Sequence, residues 1–178
     1  MLIRTAEPAD AAPVLGMFDG IMEWLVAQGR TGQWGTQPWS AQPGLVARVE
    51  GRIGRGELRL AVDERAPETI LGVLGLSEEC SEYVSAPPEP ELFVSLLATS
   101  RAAKGQNVGG ALLDEARAEA RRRGLRLLRV DCYAGDDGKL AAWYRGQGFA
   151  TVEPFVVKRE GRPDWPGMLL AEYLDRSA

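Results

Sequence analysis

Residues 104–116, "KGQNVGGALLDEA", place a lysine, three glycines and two amides within seven positions, directly before a strong helical pattern. Glycine inside a helix costs about 1 kcal/mol relative to alanine, so this composition calls for a compensating role. An apolar run precedes it, and a strand, a glycine-bearing turn and a helix N-terminus together make an anion site. Successive backbone N–H groups point outward there, and the helix dipole adds roughly half a positive charge. A side chain would keep a phosphate from those groups, which accounts for Gly105, Gly109 and Gly110, while Lys104 supplies a point charge. The alternative is a helix entrance whose glycines serve a turn or close packing. Two familiar nucleotide motifs do not fit: GxGxxG is absent near the first strand and GxxxxGK[ST] is absent altogether.

Other chemistries are narrowed by what the chain lacks. It has no histidine, so neither a Ser-His-Asp nor a Cys-His nucleophile exists, and the usual imidazole zinc ligands are missing. Acid–base work falls to carboxylates, tyrosine, lysine, cysteine or water. Cys80 and Cys132 form no CxxC pair, so no metal is expected. Cys132, after Asp131 at a strand end, reads as a small buried apolar residue rather than an acyl-carrying nucleophile. The net charge of −4 and pI of about 5.1 argue against nucleic acid as a partner. "MLIRTAEPAD" lacks the regions of a signal peptide, and no run approaches about 18 apolar residues. The expectation is a cytoplasmic protein with reduced thiols and no membrane association, built as one domain over residues 1–178.

The elements that would position these residues can be read in order. "LIRT" is a short strand; Asp10 is read as an N-cap for a helix carrying Val14, Phe18, Ile21, Met22 and Leu25, stopped by Gly29. The loop "RTGQWGTQPWS" holds Trp34 and Trp39, and Ser40 is read as opening a second helix with Leu45, Val46, Val49 and Ile53. "LRLAVD" and "ILGVLGLS" form an antiparallel hairpin, followed by the proline-rich loop "SEYVSAPPEPE". "LFVSLLA" (92–98) is continuously apolar, the mark of a strand covered on both faces. A helix near 108–123 follows, ended by Gly124, then the strand "LRLLRVD" (125–131) and the short helix "GKLAAWYRGQ". The strand "FATVEPFVVKRE", the turn-rich "GRPDWPG" and a last strand "MLLAEYL" complete the chain. The class is α/β (α+β): a mixed, mostly antiparallel sheet with helices on both faces, in the order β-α-α-β-β-β-α-β-α-β-β.

Gln106-Asn107-Val108-Gly109-Gly110-Ala111 resembles the Q/R-x-x-G-x-G/A acetyl-CoA signature of the GNAT acetyltransferase superfamily. Lys104 takes the place of an arginine and Asn107 that of a middle glycine in the family's usual loop. "LLATSR" is similar to the family's pyrophosphate-proximal strand and turn, and "LAAWYRGQGF" to its L-x-x-x-Y-x-x-x-G-F segment. The order of elements agrees with the GNAT acyl-CoA N-acyltransferase fold across nearly the whole chain.

The resemblance implies roles for particular residues. Backbone groups of Leu97, Ala98 and Thr99 would bond the pantetheine arm, and one near Ala98 would polarise the thioester carbonyl. Backbone N–H groups of Gln106, Asn107, Val108, Gly109 and Gly110, with Lys104 and Gly105, would hold the CoA pyrophosphate. Tyr144 would act as the acid for the departing thiolate; otherwise it is a packed aromatic that helps position CoA. Glu91, with Glu78 and Glu79 behind it, is the candidate base, and Ser95 a relay where a histidine is expected. Asp137, beside Asp136, stands where relatives carry an asparagine that bonds the pantetheine; it reads equally as an N-cap. Trp34 and Trp39 would roof the acceptor cleft or plug the core between the helices, and Trp165 is read as structural. These roles imply an N-acetyltransferase moving acetyl from acetyl-CoA to a small-molecule amine by direct attack in a ternary complex. The alternatives are a protein N-terminal or lysine acetyltransferase and a catalytically silent acetyl-CoA-binding sensor. A homodimer is left open.

Overall fold

A computed structural model of the chain describes residues 1–135 and 137–175; Asp136 lies outside them. Seven strands hydrogen-bond in the order β1-β2-β3-β4-β5-β7-β6: β1 (Leu2–Thr5), β2 (Leu58–Val62), β3 (Ile70–Ser77), β4 (Glu91–Thr99), β5 (Leu127–Tyr133), β6 (Ala150–Val157) and β7 (Trp165–Tyr173). Four helices intervene: α1 (Ala11–Ala27), α2 (Pro43–Gly54), α3 (Val108–Arg122) and α4 (Lys139–Gly146). β4 and β5 run parallel, while β1–β2, β2–β3, β5–β7 and β6–β7 are antiparallel. No helix among the described residues is long and apolar enough to cross a membrane.

The chain forms two compact units, Met1–Leu76 with Leu96–Glu115, and Ser77–Ser95 with the residues from Ala116 onward. In the first, the helical stripe Val14 and Phe18 of α1 and Val49 and Ile53 of α2 close over Leu58, Leu60, Val62 and Val73, as i, i+4 spacing dictates. β3 is buried on both faces. Val73 turns to α1 and α2, and the next residue back, Gly72, turns to α3. A Cβ on Gly72 would stand 2.8 Å from Val108 Cγ1, 2.9 Å from Leu112 Cδ1 and 3.0 Å from the Ala98 carbonyl oxygen. A bare Cα there lets the first turn of α3 settle onto the sheet.

In the second unit, Leu127, Leu128, Leu169 and Leu170 are fully buried. β6 ends the strand order, which explains how it accommodates Pro154: proline cannot donate to a ladder and belongs at an edge. Arg117 of α3 reaches Glu172 of β7 at 2.9 Å and the Gln147 carbonyl after α4, tying three elements together.

Several boundaries differ from the sequence expectation. α2 begins at Pro43, because Ser40 donates its N–H and hydroxyl to Asp19 instead of capping a helix. Asp10 stands at the N-cap position of α1, as expected, but its side chain makes no capping bond: its carboxylate accepts from the Glu7 N–H and is forked by Arg4 at 2.6 and 2.7 Å. β5 starts two residues late, since Gly124 turns left-handed (φ 69°) and Leu125 donates back to Ala120 as part of the α3 cap. Trp165 is the first residue of β7, paired with Val157, rather than part of a turn.

Candidate functional site

The loop read as an anion cradle follows β4 within the first unit. Ser100 donates to the Leu71 carbonyl at 2.8 Å, and one 3₁₀ turn, Arg101–Ala103, carries the chain to Lys104. Gly105 (φ 87°) and Asn107 (φ 53°) are both left-handed. Asparagine is among the few non-glycine residues that tolerate this region, which explains how it replaces a glycine there. Lys104, Gly105, Gln106 and Asn107 are exposed, and Val108 buries itself under them.

The hydrogen bonds locate the open donors. Lys104 N–H goes to the Arg101 carbonyl and Gln106 N–H to that of Ala103. Ala111 N–H is the first donor of α3 to find a backbone acceptor, the Asn107 carbonyl at 3.1 Å. Among the described residues, the amides of Asn107, Val108, Gly109 and Gly110 have no backbone acceptor, as the first turn of a helix requires. The open row therefore runs from Asn107 to Gly110, and the Gln106 amide is not part of it. Gly110 has a reason of its own: a Cβ there would stand 2.5 Å from Asn107 Oδ1, so its bareness makes room for the asparagine side chain. Beside the loop, the Arg101 guanidinium lies 3.9 Å from the ring centre of Trp24. Of the β4 residues assigned to pantetheine, Ala98 is buried in the core while Leu97 and Thr99 are half-buried.

Glu91 needs correcting. It is buried, and Arg129 grips it through both carboxylate oxygens, Nη2 to Oε1 at 2.8 Å; Arg129 also donates to the Ser85 carbonyl at 3.0 Å. This pairing, with Cys80 nearby, raises the guanidinium pKa above its usual value. With both oxygens engaged by Arg129 in a buried pair, Glu91 is a structural anchor. Glu78 is paired with Arg123 at 2.8 Å, and Glu79 is exposed. Ser95 is different. Its hydroxyl is the one buried side-chain polar atom without a partner among the described residues. It comes one residue after Val94, where the recorded β4–β5 pairs end opposite Val130.

Tyr144 is fixed by the turn after it. Phe149 and Gly148 donate back to Tyr144 and Arg145, Gly148 takes φ 102°, and the Phe149 ring meets Tyr144 edge-on at 5.8 Å. Burial, then the neighbouring Cys132 and Asp131, push the phenol well above its usual range. It therefore stays protonated, the form a proton donor needs. Burial also pushes the Cys132 thiol up to about 12, with Asp131 adding repulsion, consistent with an inert residue.

Asp137 is exposed. It accepts from the Lys139 N–H at 3.1 Å and pairs with the Lys139 ammonium at 2.7 Å, while Gly138, left-handed, occupies the cap position of α4. Trp34 and Trp39 are half-buried and stack with Phe18 in a three-ring cluster, centroids 4.9 to 5.5 Å apart. Sequence reasoning passed over Gly72, although a glycine inside an apolar strand signals close backbone approach. It also passed over Asp131, whose place beside Tyr144 has no local signal. No group of three or more Cys, Asp or Glu residues among the described ones is placed to hold a metal ion.

Solved structures with the same architecture include an acetyltransferase of the GNAT family from Listeria monocytogenes (20% identity, TM-score 0.71, 97% of this chain and 94% of that one). Another is the ribosomal-protein-alanine N-acetyltransferase of Brucella melitensis (21%, 0.67, 98% and 100%). A third is yncA of Salmonella typhimurium with its cofactor acetyl-CoA (17%, 0.67, 100% and 96%). No curated protein matches the sequence. The model of the acetyltransferase (GNAT) family matches residues 19–149, a span that holds the glycine loop, the open amides of α3 and Tyr144. The chain belongs to the acetyltransferase (GNAT) family.

Proposed function

We propose that the protein transfers acetyl from acetyl-CoA to a primary amine of a small molecule, by direct attack with both substrates bound. One observation carries this reading: four consecutive amides at the mouth of α3, Asn107 to Gly110, lack backbone acceptors behind an exposed left-handed turn. Such a row suits the oxygens of a diphosphate, and Lys104, exposed beside it, adds a cation. The acetyl-CoA held by yncA supports the choice of thioester. When bound, acetyl-CoA supplies the activated acyl group.

The residues then divide the work. The α3 amides orient the diphosphate, and the backbone of Leu97 to Thr99 aligns the pantetheine arm. Tyr144 delivers a proton to the leaving sulfur. Its raised pKa keeps that proton in place until a thiolate appears; each unit of elevation makes the transfer about 1.4 kcal/mol harder, so the thiolate must arrive close by. With Glu91 consumed by Arg129, water is the simplest carrier of the amine proton, and Ser95 can relay it. Catalysis rests on positioning more than on a strong base.

Isothermal titration with acetyl-CoA tests the reading. Binding that Gly109→Asp weakens greatly supports it, and an unchanged dissociation constant in that variant rejects the cradle. The likeness to the Brucella melitensis enzyme makes a peptide amine the second reading. Release of CoA with alanyl peptides but not with small amines would select it.

A further inference from the structure

One face of the second unit has a composition that the transfer reaction alone does not explain. In register, Asp131, Leu169 and Glu153 form a row across β5, β7 and β6, followed by the row Tyr133, Gly167, Phe155 and then by Trp165 with Val157. Residues paired in register share a face, so two carboxylates stand at one end of an aromatic surface. The rings touch: Tyr133 and Trp165 are 5.6 Å apart, Phe155 and Trp165 6.0 Å. Two glycines lie beneath them. The tip of the Phe155 ring comes 2.3 Å from where a Gly167 Cβ would stand, and that of Tyr133 2.3 Å from where a Gly135 Cβ would stand. Any other residue at 135 or 167 would lift the rings off the sheet. Asp131, Glu153, Tyr133, Phe155 and Trp165 are all half-buried.

We propose that this face holds the acceptor, and that the acceptor is a monoamine with an apolar body. The ammonium sits at the Asp131–Glu153 row, and the hydrocarbon or aryl body lies on Tyr133, Trp165 and Phe155. The carboxylates attract the cation, and the rings favour both the cation and the body behind it. Past the third row the Asp164 carboxylate is already held by Lys158 at 2.5 Å, which takes it from a second ammonium and disfavours polyamines. Aromatic and aliphatic walls leave the amides of a peptide without partners, which disfavours a protein substrate. Ser95 follows Val94 as Asp131 follows Val130, and its unpartnered hydroxyl supplies a hydrogen-bonding group at this level of the sheet. The proposal rests on the acetyl-transfer reading for the identity of the ligand as acceptor.

Phenethylamine, isoamylamine, spermidine and an alanyl tripeptide are compared by CoA release, and phenethylamine is titrated calorimetrically without acetyl-CoA. Phenethylamine and isoamylamine should have the highest kcat/KM. Trp165→Leu should raise the KM for phenethylamine about tenfold and leave that for acetyl-CoA unchanged. Asp131→Asn, which keeps shape, should weaken phenethylamine about tenfold while binding the neutral 3-phenylpropan-1-ol as before. A merely structural aspartate would affect both ligands alike. Preference for spermidine or the peptide, or variants that bind phenethylamine as the parent does, overturns the proposal even if acetyl-CoA still binds. Phenethylamine binding without any acetyl-CoA binding keeps the cation site and rejects the transfer reading.

Discussion

β4 leads from one kind of polar site to another. At its start, Glu91 and Arg129 are buried and satisfied by each other and by the Ser85 carbonyl. After its end, Asn107 to Gly110 carry no formal charge, yet their amides are unclaimed. Glu91, which looks reactive in the sequence, is spent on structure, while the unclaimed donors are backbone. Desolvating a charge is so costly that an isolated buried carboxylate must be paired. A helix N-terminus keeps its donors open because geometry denies them acceptors.

Mutations can break this contrast on either side, and on the open side the effects are read in turnover and binding. Tyr144→Phe should lower kcat by about 100-fold or more with acetyl-CoA affinity unchanged, and a full-speed variant would remove its role as acid. Gly109→Asp should weaken acetyl-CoA binding by roughly 100-fold, about 3 kcal/mol, as a charged hydrogen bond turns into a repulsion; titration calorimetry reads it directly. On the closed side, Glu91→Gln should cost about 3 to 5 kcal/mol of stability by leaving Arg129 buried and unpaired. Replacing both partners with Leu and Met should recover most of that, as urea midpoints will show. Recovery of fold without loss of turnover would confirm that Glu91 is no base.

Smaller effects sharpen the comparison. Gly72→Ala forces a methyl against Val108 and Leu112 and should cost about 1 to 3 kcal/mol, with a rise in the acetyl-CoA dissociation constant if the α3 mouth shifts. The Cys132 thiol, at about 12, should be on the order of one part in a thousand thiolate at pH 9. Iodoacetamide should therefore spare it in the folded protein and label it after denaturation, by mass spectrometry. Asp10 and Glu119 are held below the usual carboxylate range, Asp10 by its hydrogen bonds from Arg4 and Glu119 by Arg122 and Arg123 against opposing burial. A lowered folded pKa gives stability that is present above the unfolded pKa, near 4, and lost as pH falls through the folded one. Melting temperature should drop modestly below about pH 4, and less so in Arg4→Met.

Much of this was legible in the chain. Local patterning named the strands and helices, because alternation and 3.6-residue spacing are properties of neighbours in sequence. It also named the loop at 104–110, because left-handed turns and open helix starts select glycine and asparagine locally. Caps were harder. Ser40 and Asp10 are the right residue types, but Asp19 and Arg4 claimed them.

What the sequence alone determined is the order of elements, the family loop and the absence of imidazole chemistry. Only the tertiary structure decided that Glu91 is spoken for, that Gly72 seats α3, and that Asp131, Glu153 and three aromatic rings share one face. Pairing across strands joins residues far apart in the chain, and no local spacing records which carboxylate will meet an arginine.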